Sequence, residues 1–156
     1  MQTENQMRKW LDGQISLGAA ADWDKDEIRI ISEIAYSLAQ QGRNREAIVM
    51  FEGLIAVAPA TAYFQAALGA LHLRLKDFPR AIEYLDAALE IEPNDIVSLV
   101  NRGEARMRIE KPDDARADFA RAVELSAANG NRQVDVNDEI TLAAKRARAL
   151  LSVIKT

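Results

Sequence analysis

Cysteine is absent from the sequence. Disulfides and thiolate metal sites are therefore excluded, and cysteine usage says nothing about compartment. An excess of positive charge is lacking too: the net charge is -4 and the pI about 5.1. A general nucleic-acid binder would show a basic face, so that class is set aside. No apolar run reaches the roughly 18 residues of a membrane span. The N-terminal MQTENQMRKW lacks the charged-then-apolar plan of a signal peptide, so a cytosolic location is expected. Glycine numbers only 7 and proline 4, and long alternating β-branched runs are missing. Helix is favoured and no sheet is expected.

What remains is rich in alanine and leucine. Apolar residues make up 49% and charged residues 28% of the chain, the balance of a folded domain or a short repeat array. One stretch raises a question. In ALGALHLRLKDFPRAI, residues 67–82, Gly69 interrupts an apolar helical pattern at a cost of about 1 kcal/mol against alanine. Twelve residues later, Ala81 is small again.

A fixed period answers it. Counting 34 positions on from Gly69 gives Gly103, and 34 back gives Ala35. Ala81 maps to Ala115 and Ala47, Leu85 to Phe119 and Phe51, Ala88 to Ala122 and Leu54. Pro93 maps back to Pro59 and forward to Ala127, where the pattern lapses. The register runs without a gap over 28–61, 62–95 and 96–129.

This period, and the order small, small, aromatic or leucine, small, proline, resemble the tetratricopeptide repeat. The resemblance implies pairs of closely packed antiparallel helices, with Gly69 and Gly103 letting the second helix of each pair approach. The sequence departs from the family where tryptophan is usual, at Ile31, Gln65 and Leu99, and where tyrosine is usual, at His72 and Arg106. The expected fold is all-α: a right-handed superhelical array of three helix pairs, with an N-terminal helix and a C-terminal capping helix.

Local signals fit that plan. Gly42 can end a first helix in the left-handed conformation, and Lys76-Asp77 and Glu110-Lys111 take its place in the next units. Pro79 and Pro112 fall in the first turn of second helices, where a missing N–H is harmless. Asp24 and Glu27 form a capping-box pattern, with Trp23 and Ile28 at the positions of a hydrophobic staple. Residues 136–154 place Val136, Ile140, Ala143, Ala147, Leu150, Leu151 and Ile154 on one face, as a helix closing the array would. Residues 4–18 carry a narrower stripe of Met7, Trp10, Leu11 and Ile15, interrupted by Asp12-Gly13 and followed by a linker over 17–22. That stripe can fold back on the first unit or pair with a second chain. Residues 1–22 thus form an N-terminal segment, and 23–156 the repeat domain with its cap.

No catalytic constellation is found. His72 is the lone histidine and sits at a helix-packing position. The Asp22-Asp24-Asp26-Glu27 cluster opens a helix and lacks the glycine turn of a calcium loop. There is no phosphate-cradling loop and no nucleophile elbow. No enzyme activity, cofactor or metal is expected. The short basic clusters 43–45 and 145–148 read as solvated faces.

Function must then come from surface. First helices of such arrays line a concave groove. The positions expected to face it are Tyr36 and Gln40 in the first unit, with Arg29, Ser32 and Ala39; Tyr63, Ala66, Ala70, Leu73 and Arg74 in the second; and Val97, Val100, Glu104 and Met107 in the third, with Arg108. A small-sided apolar floor with two tyrosines suits an extended segment with apolar anchors. Repeat proteins that grip the carboxylates of heat-shock chaperones present lysine and asparagine where Ser32, Tyr36 and Ala67 stand here, so that activity is not implied.

The whole chain is similar to the tetratricopeptide chaperones of type III secretion translocators. The resembling stretches are DGQISL at 12–17, YFQAALGALHLRLKDF at 63–78, GEARMRIEKPDDARADF at 103–119 and KRARALLSVIK at 145–155. The resemblance implies a cytosolic, ATP-independent holdase that keeps membrane-inserting translocators soluble before export, and homodimerisation through the N-terminal helix. The rival readings are a general tetratricopeptide scaffold in another assembly and, from a different class, a nucleotide- or metal-dependent enzyme.

Overall fold

A computed structural model describes Lys9, residues 23–128 and residues 138–154. The stripe of Met7, Trp10, Leu11 and Ile15, the linker over 17–22 and Val136 lie outside the described residues. Those described form seven helices: α1 (Lys25–Gln40), α2 (Asn44–Val57), α3 (Ala62–Arg74), α4 (Phe78–Ile91), α5 (Ile96–Arg108), α6 (Pro112–Ala128) and α7 (Glu139–Val153). No strand is present among them, and no helix is long and apolar enough to cross a membrane. The chain divides into two compact units, Met1–Phe64 and Gln65–Thr156, with the boundary inside α3.

In the first unit α1 packs on α2. The entry signal works as expected: Asp24 accepts from the Glu27 amide at 2.8 Å, and Glu27 accepts from the Asp24 amide at 3.0 Å. Two orphan donors of the helix start are thereby satisfied. Ile31, Ala35 and Ala39 of α1 are buried, as are Ala47, Met50, Phe51 and Leu54 of α2. Phe51 also meets Phe64, their ring centroids 6.2 Å apart.

The second unit shows why small residues recur. A methyl group on Gly69 would stand 2.4 Å from Leu85 Cγ and 3.3 Å from the Ala81 carbonyl. One on Gly103 would stand 2.6 Å from the Phe119 ring. Each glycine is thus the floor on which the large residue of the partner helix rests. Around Phe119, a core of Leu89, Ile96, Leu99, Val100, Ala115 and Ala122 is closed by Ala143 and Ala147 of α7. The closing helix therefore does what a solenoid end needs: it covers the last pair.

One turn is built three times from different residues. The amides of Arg43, Asp77 and Lys111 donate to the carbonyls of Leu38, His72 and Arg106, each five residues back, at 2.9 to 3.0 Å. This bond requires a left-handed residue just before the donor. Gly42 supplies it with φ 77°, but Lys76 and Glu110 adopt φ 62° and 61°. Proline sets the other boundary. Pro59 and Pro93 follow α2 and α4, each of 14 residues, whereas Ala127 replaces proline in the third unit and α6 continues for 17 residues.

Candidate partner-binding surface

The first-helix positions singled out from the sequence divide into open, shared and closed. In the first unit Tyr36 is 53% exposed, and Gln40 beside it is exposed. Tyr63 is 49% exposed, yet its ring leans edge-on against Phe51 with centroids 6.0 Å apart and against Phe64 at 5.9 Å. Its aromatic face is thus part of the local packing as well as of the surface.

In the second unit Ala66, Ala70 and Leu73 of α3 are half-buried, with Arg74 exposed at the helix end. On α5, Val97 and Met107 are half-buried and Glu104 is shared with α7: Arg146 lies 2.5 Å from its carboxylate and 2.8 Å from Asn101. Arg108 is exposed.

Val100 departs from expectation. It is fully buried, in the core that Ala143 and Ala147 of α7 complete. The repeat rule treats this position as facing open water, but here the closing helix packs across α5 and removes it from the surface. Val100 is a core residue, not a contact for a partner.

The position where tyrosine is usual carries a different solution in each repeat. His72 is buried and stacks on Tyr84, their rings 5.3 Å apart and 15° from parallel. Thirty-four residues on, the same two positions hold Arg106 and Asp118, joined at 2.8 Å. In the first unit they hold Leu38 and Met50. A stacked ring pair, an ion pair and an aliphatic pair thus fill equivalent sites.

The ion pair belongs to a network that sequence reasoning missed. Arg102 reaches Asp118 and Asp86, each at 2.6 Å, and Arg106 reaches the buried Asp118. Burial works against the Arg102 charge, but the bonds to Asp118 and Asp86 outweigh it and hold its pKa above the ordinary arginine value. Bidentate arginine–carboxylate geometry of this kind fixes orientation as well as charge. It ties α4, α5 and α6 together. The one sequence signal was Arg102 and Arg106 standing where the second repeat has Leu68 and His72. The partners lie 12 and 16 residues away, beyond any helix-face rule.

Comparison with known proteins fits this geometry. Residues 33–96 match the model of the tetratricopeptide repeat. Among curated proteins it is 25% identical over 119 residues to the mouse peptidyl-prolyl cis-trans isomerase FKBP4, covering 67% of this chain and 26% of that protein. The chain spans about a quarter of the length of the curated relatives it matches. Among solved structures it superposes on the Yersinia enterocolitica type III secretion chaperone SycD in complex with a peptide of the translocator YopD. There the TM-score is 0.74 and the identity 18%, over 84% of this chain and 94% of that one. It also superposes on PcrH of Pseudomonas aeruginosa with a TM-score of 0.75 and 19% identity, over 86% of this chain and 96% of that one. These likenesses establish the fold.

Proposed function

We propose that this chain, a tetratricopeptide repeat protein with the fold of the type III secretion translocator chaperones, is itself a cytosolic, ATP-independent chaperone for translocator proteins. The observation that carries the reading is the near-complete superposition on chaperones of that kind, one of them in complex with a translocator peptide. The first-helix faces support it chemically. Each unit presents its own part: Tyr36, Gln40 and Tyr63 in the first, and Ala66, Ala70, Leu73, Arg74, Val97 and Met107 in the second. Small side chains leave room for a client's apolar anchors. The tyrosines offer contact area at low entropy cost, with a hydroxyl for the client backbone. Glu104, paired with Arg146, completes that surface at its third-repeat end.

A holdase needs no chemical step. An extended client loses conformational freedom on binding, so the surface must return apolar contact and hydrogen bonds that exceed this loss. Purification of the chain from its native lysate, followed by mass spectrometry of what accompanies it, tests the role. A membrane-inserting protein with long apolar segments is expected. A stoichiometric set of soluble assembly subunits would instead favour a general scaffold.

A further inference from the structure

One stripe of α5 changes character in its middle. Val97, Asn101, Glu104 and Arg108 share it, spaced by four, three and four residues. The first three are half-buried and Arg108 is exposed. One repeat earlier the same positions hold Tyr63, Ala67, Ala70 and Arg74. Two alanines have thus become an amide and a carboxylate. A helix outside the repeat register attends to both: Arg146 of α7 lies 2.5 Å from Glu104 and donates from Nη2 to Asn101 Oδ1 at 2.8 Å.

Folding alone does not account for this couple. α7 is already held by Ala143 and Ala147 in the core, with Leu150, Leu151 and Ile154 packed against it. The side chains of Arg146 and Glu104 are 49% and 28% exposed, so their pairing adds little stability. Among the described residues, the other exposed arginines in ion pairs reach only three or four residues along the chain. The contacts also leave hydrogen-bonding groups over. Among the described residues, Arg146 Nη1, Glu104 Oε2 and Asn101 Nδ2 make no hydrogen bond. Donor and acceptor therefore stand side by side on a couple whose net charge is zero. A carboxylate arriving at Arg146 would meet the charge of Glu104, and an ammonium arriving at Glu104 would meet that of Arg146. A peptide group brings a carbonyl and an N–H with no net charge, and charge-assisted bonds to it are strong.

We propose that Glu104 and Arg146 hold the main chain of an extended client, an assignment that rests on the reading of the first-helix faces as a client surface. Arg146 Nη1 donates to a client carbonyl, and Glu104 Oε2 accepts from a client N–H. Asn101 keeps the guanidinium in place. An extended segment laid on an apolar floor would otherwise bury such groups unpaired, at a cost in affinity. Because every residue carries the same main-chain groups, this hold does not depend on client side chains. Recognition of those is left to the apolar positions beside it, Val97 and Met107. The closing helix thereby adds a contact of its own to the client surface, besides covering the last repeat.

Isothermal titration of the full chain with N-methylated peptides tests it. The probes are two translocator-derived peptides of unrelated side-chain sequence, each with a series in which one residue at a time carries an N-methyl group and so loses its N–H. With the parent chain, one position in each series is expected to cost about tenfold in Kd, as the loss of a bond to a charged acceptor does. Glu104→Gln keeps the shape and can still offer its carbonyl oxygen to Arg146, but turns an NH2 toward the client. With it, or with Glu104→Ala, the same position should cost nothing further. Glu83→Ala on α4 should show the parent's full cost. Arg146→Lys keeps a cation for Glu104 but lacks Nη1, and should weaken both unmethylated peptides by a similar factor. Circular dichroism confirms that each variant is folded before it is titrated. An N-methyl cost that is the same in the parent and in both Glu104 variants would overturn the hold while leaving the client surface standing. So would a loss in Arg146→Lys confined to one peptide, which marks a side-chain contact. Peptides that do not bind the parent at all would overturn the client reading and the hold with it.

Discussion

Replacing Gly69 with alanine probes the helix pair at its tightest point, and two opposing effects decide the outcome. Alanine is the better helix former by about 1 kcal/mol, so on propensity alone the variant is more stable. Its methyl group, however, would meet Leu85 Cγ at 2.4 Å and Cδ2 at 2.8 Å. Ordinary carbon contacts lie near 3.5–4.0 Å, so Leu85 must retreat by about 1 Å. It has nowhere to go: Leu85 is fully buried, and the Ala81 carbonyl of the same helix stands 3.3 Å from the new methyl. Overpacking of this kind costs about 1–3 kcal/mol, and a rigid site belongs at the upper end. The net expectation is a loss of about 1–2 kcal/mol, or a fall of roughly 2–8 °C in Tm for a chain this size. The same change in a Leu85→Ala background should invert its sign, because the Leu85 clash is gone and the propensity gain is opposed only by the 3.3 Å contact with the Ala81 carbonyl. Thermal unfolding of the four proteins of this cycle measures it. A Gly69→Ala protein more stable than the parent, or an equal effect in both backgrounds, would refute the close-contact account of the repeat.

Other substitutions probe the features the structure added. Lys76→Gly and Glu110→Gly relieve left-handed strain at turns where Gly42 is the natural solution, and each should raise stability by about 1 kcal/mol in urea titration. Asp118→Ala leaves Arg102 and Arg106 without their shared buried partner and should cost about 3 kcal/mol, whereas Asp86→Ala, at a more open carboxylate, should cost much less. Val100→Asp places a charge in the core closed by α7 and should unfold the second unit, seen as lost ellipticity, rather than weaken client binding selectively.

The repeat was legible because helix packing leaves marks at fixed spacing. Gly69 and Gly103 are small for one physical reason, the large residue of the partner helix above them, and that reason recurs every 34 residues. The turns were legible by the same route, since Gly42 reveals what Lys76 and Glu110 must do. The fate of Val100 was not legible from its own repeat. It depends on Ala143 and Ala147, on a helix that follows no repeat register. The arginine–aspartate network was hidden for a similar reason: Asp86, Arg102 and Asp118 sit on three helices, and only folding brings them together. Of the candidate surface, residue types and helix faces could be read, but openness could not, because it is set by neighbours distant in sequence.

The central claim is that the first-helix faces bind an extended client segment. Isothermal titration of the full chain with a translocator-derived peptide tests it most directly, using Tyr36→Ala in the first unit and Arg74→Ala in the second. Tyr36 and Arg74 are exposed, and alanine is the better helix former at both. Both proteins should therefore stay folded. Each should weaken binding by about 1–2 kcal/mol, roughly 5–30-fold in Kd, while Glu83→Ala on the exposed side of α4 binds as the parent does. Unchanged affinity in both first-helix variants, or a loss confined to Glu83→Ala, would contradict the account.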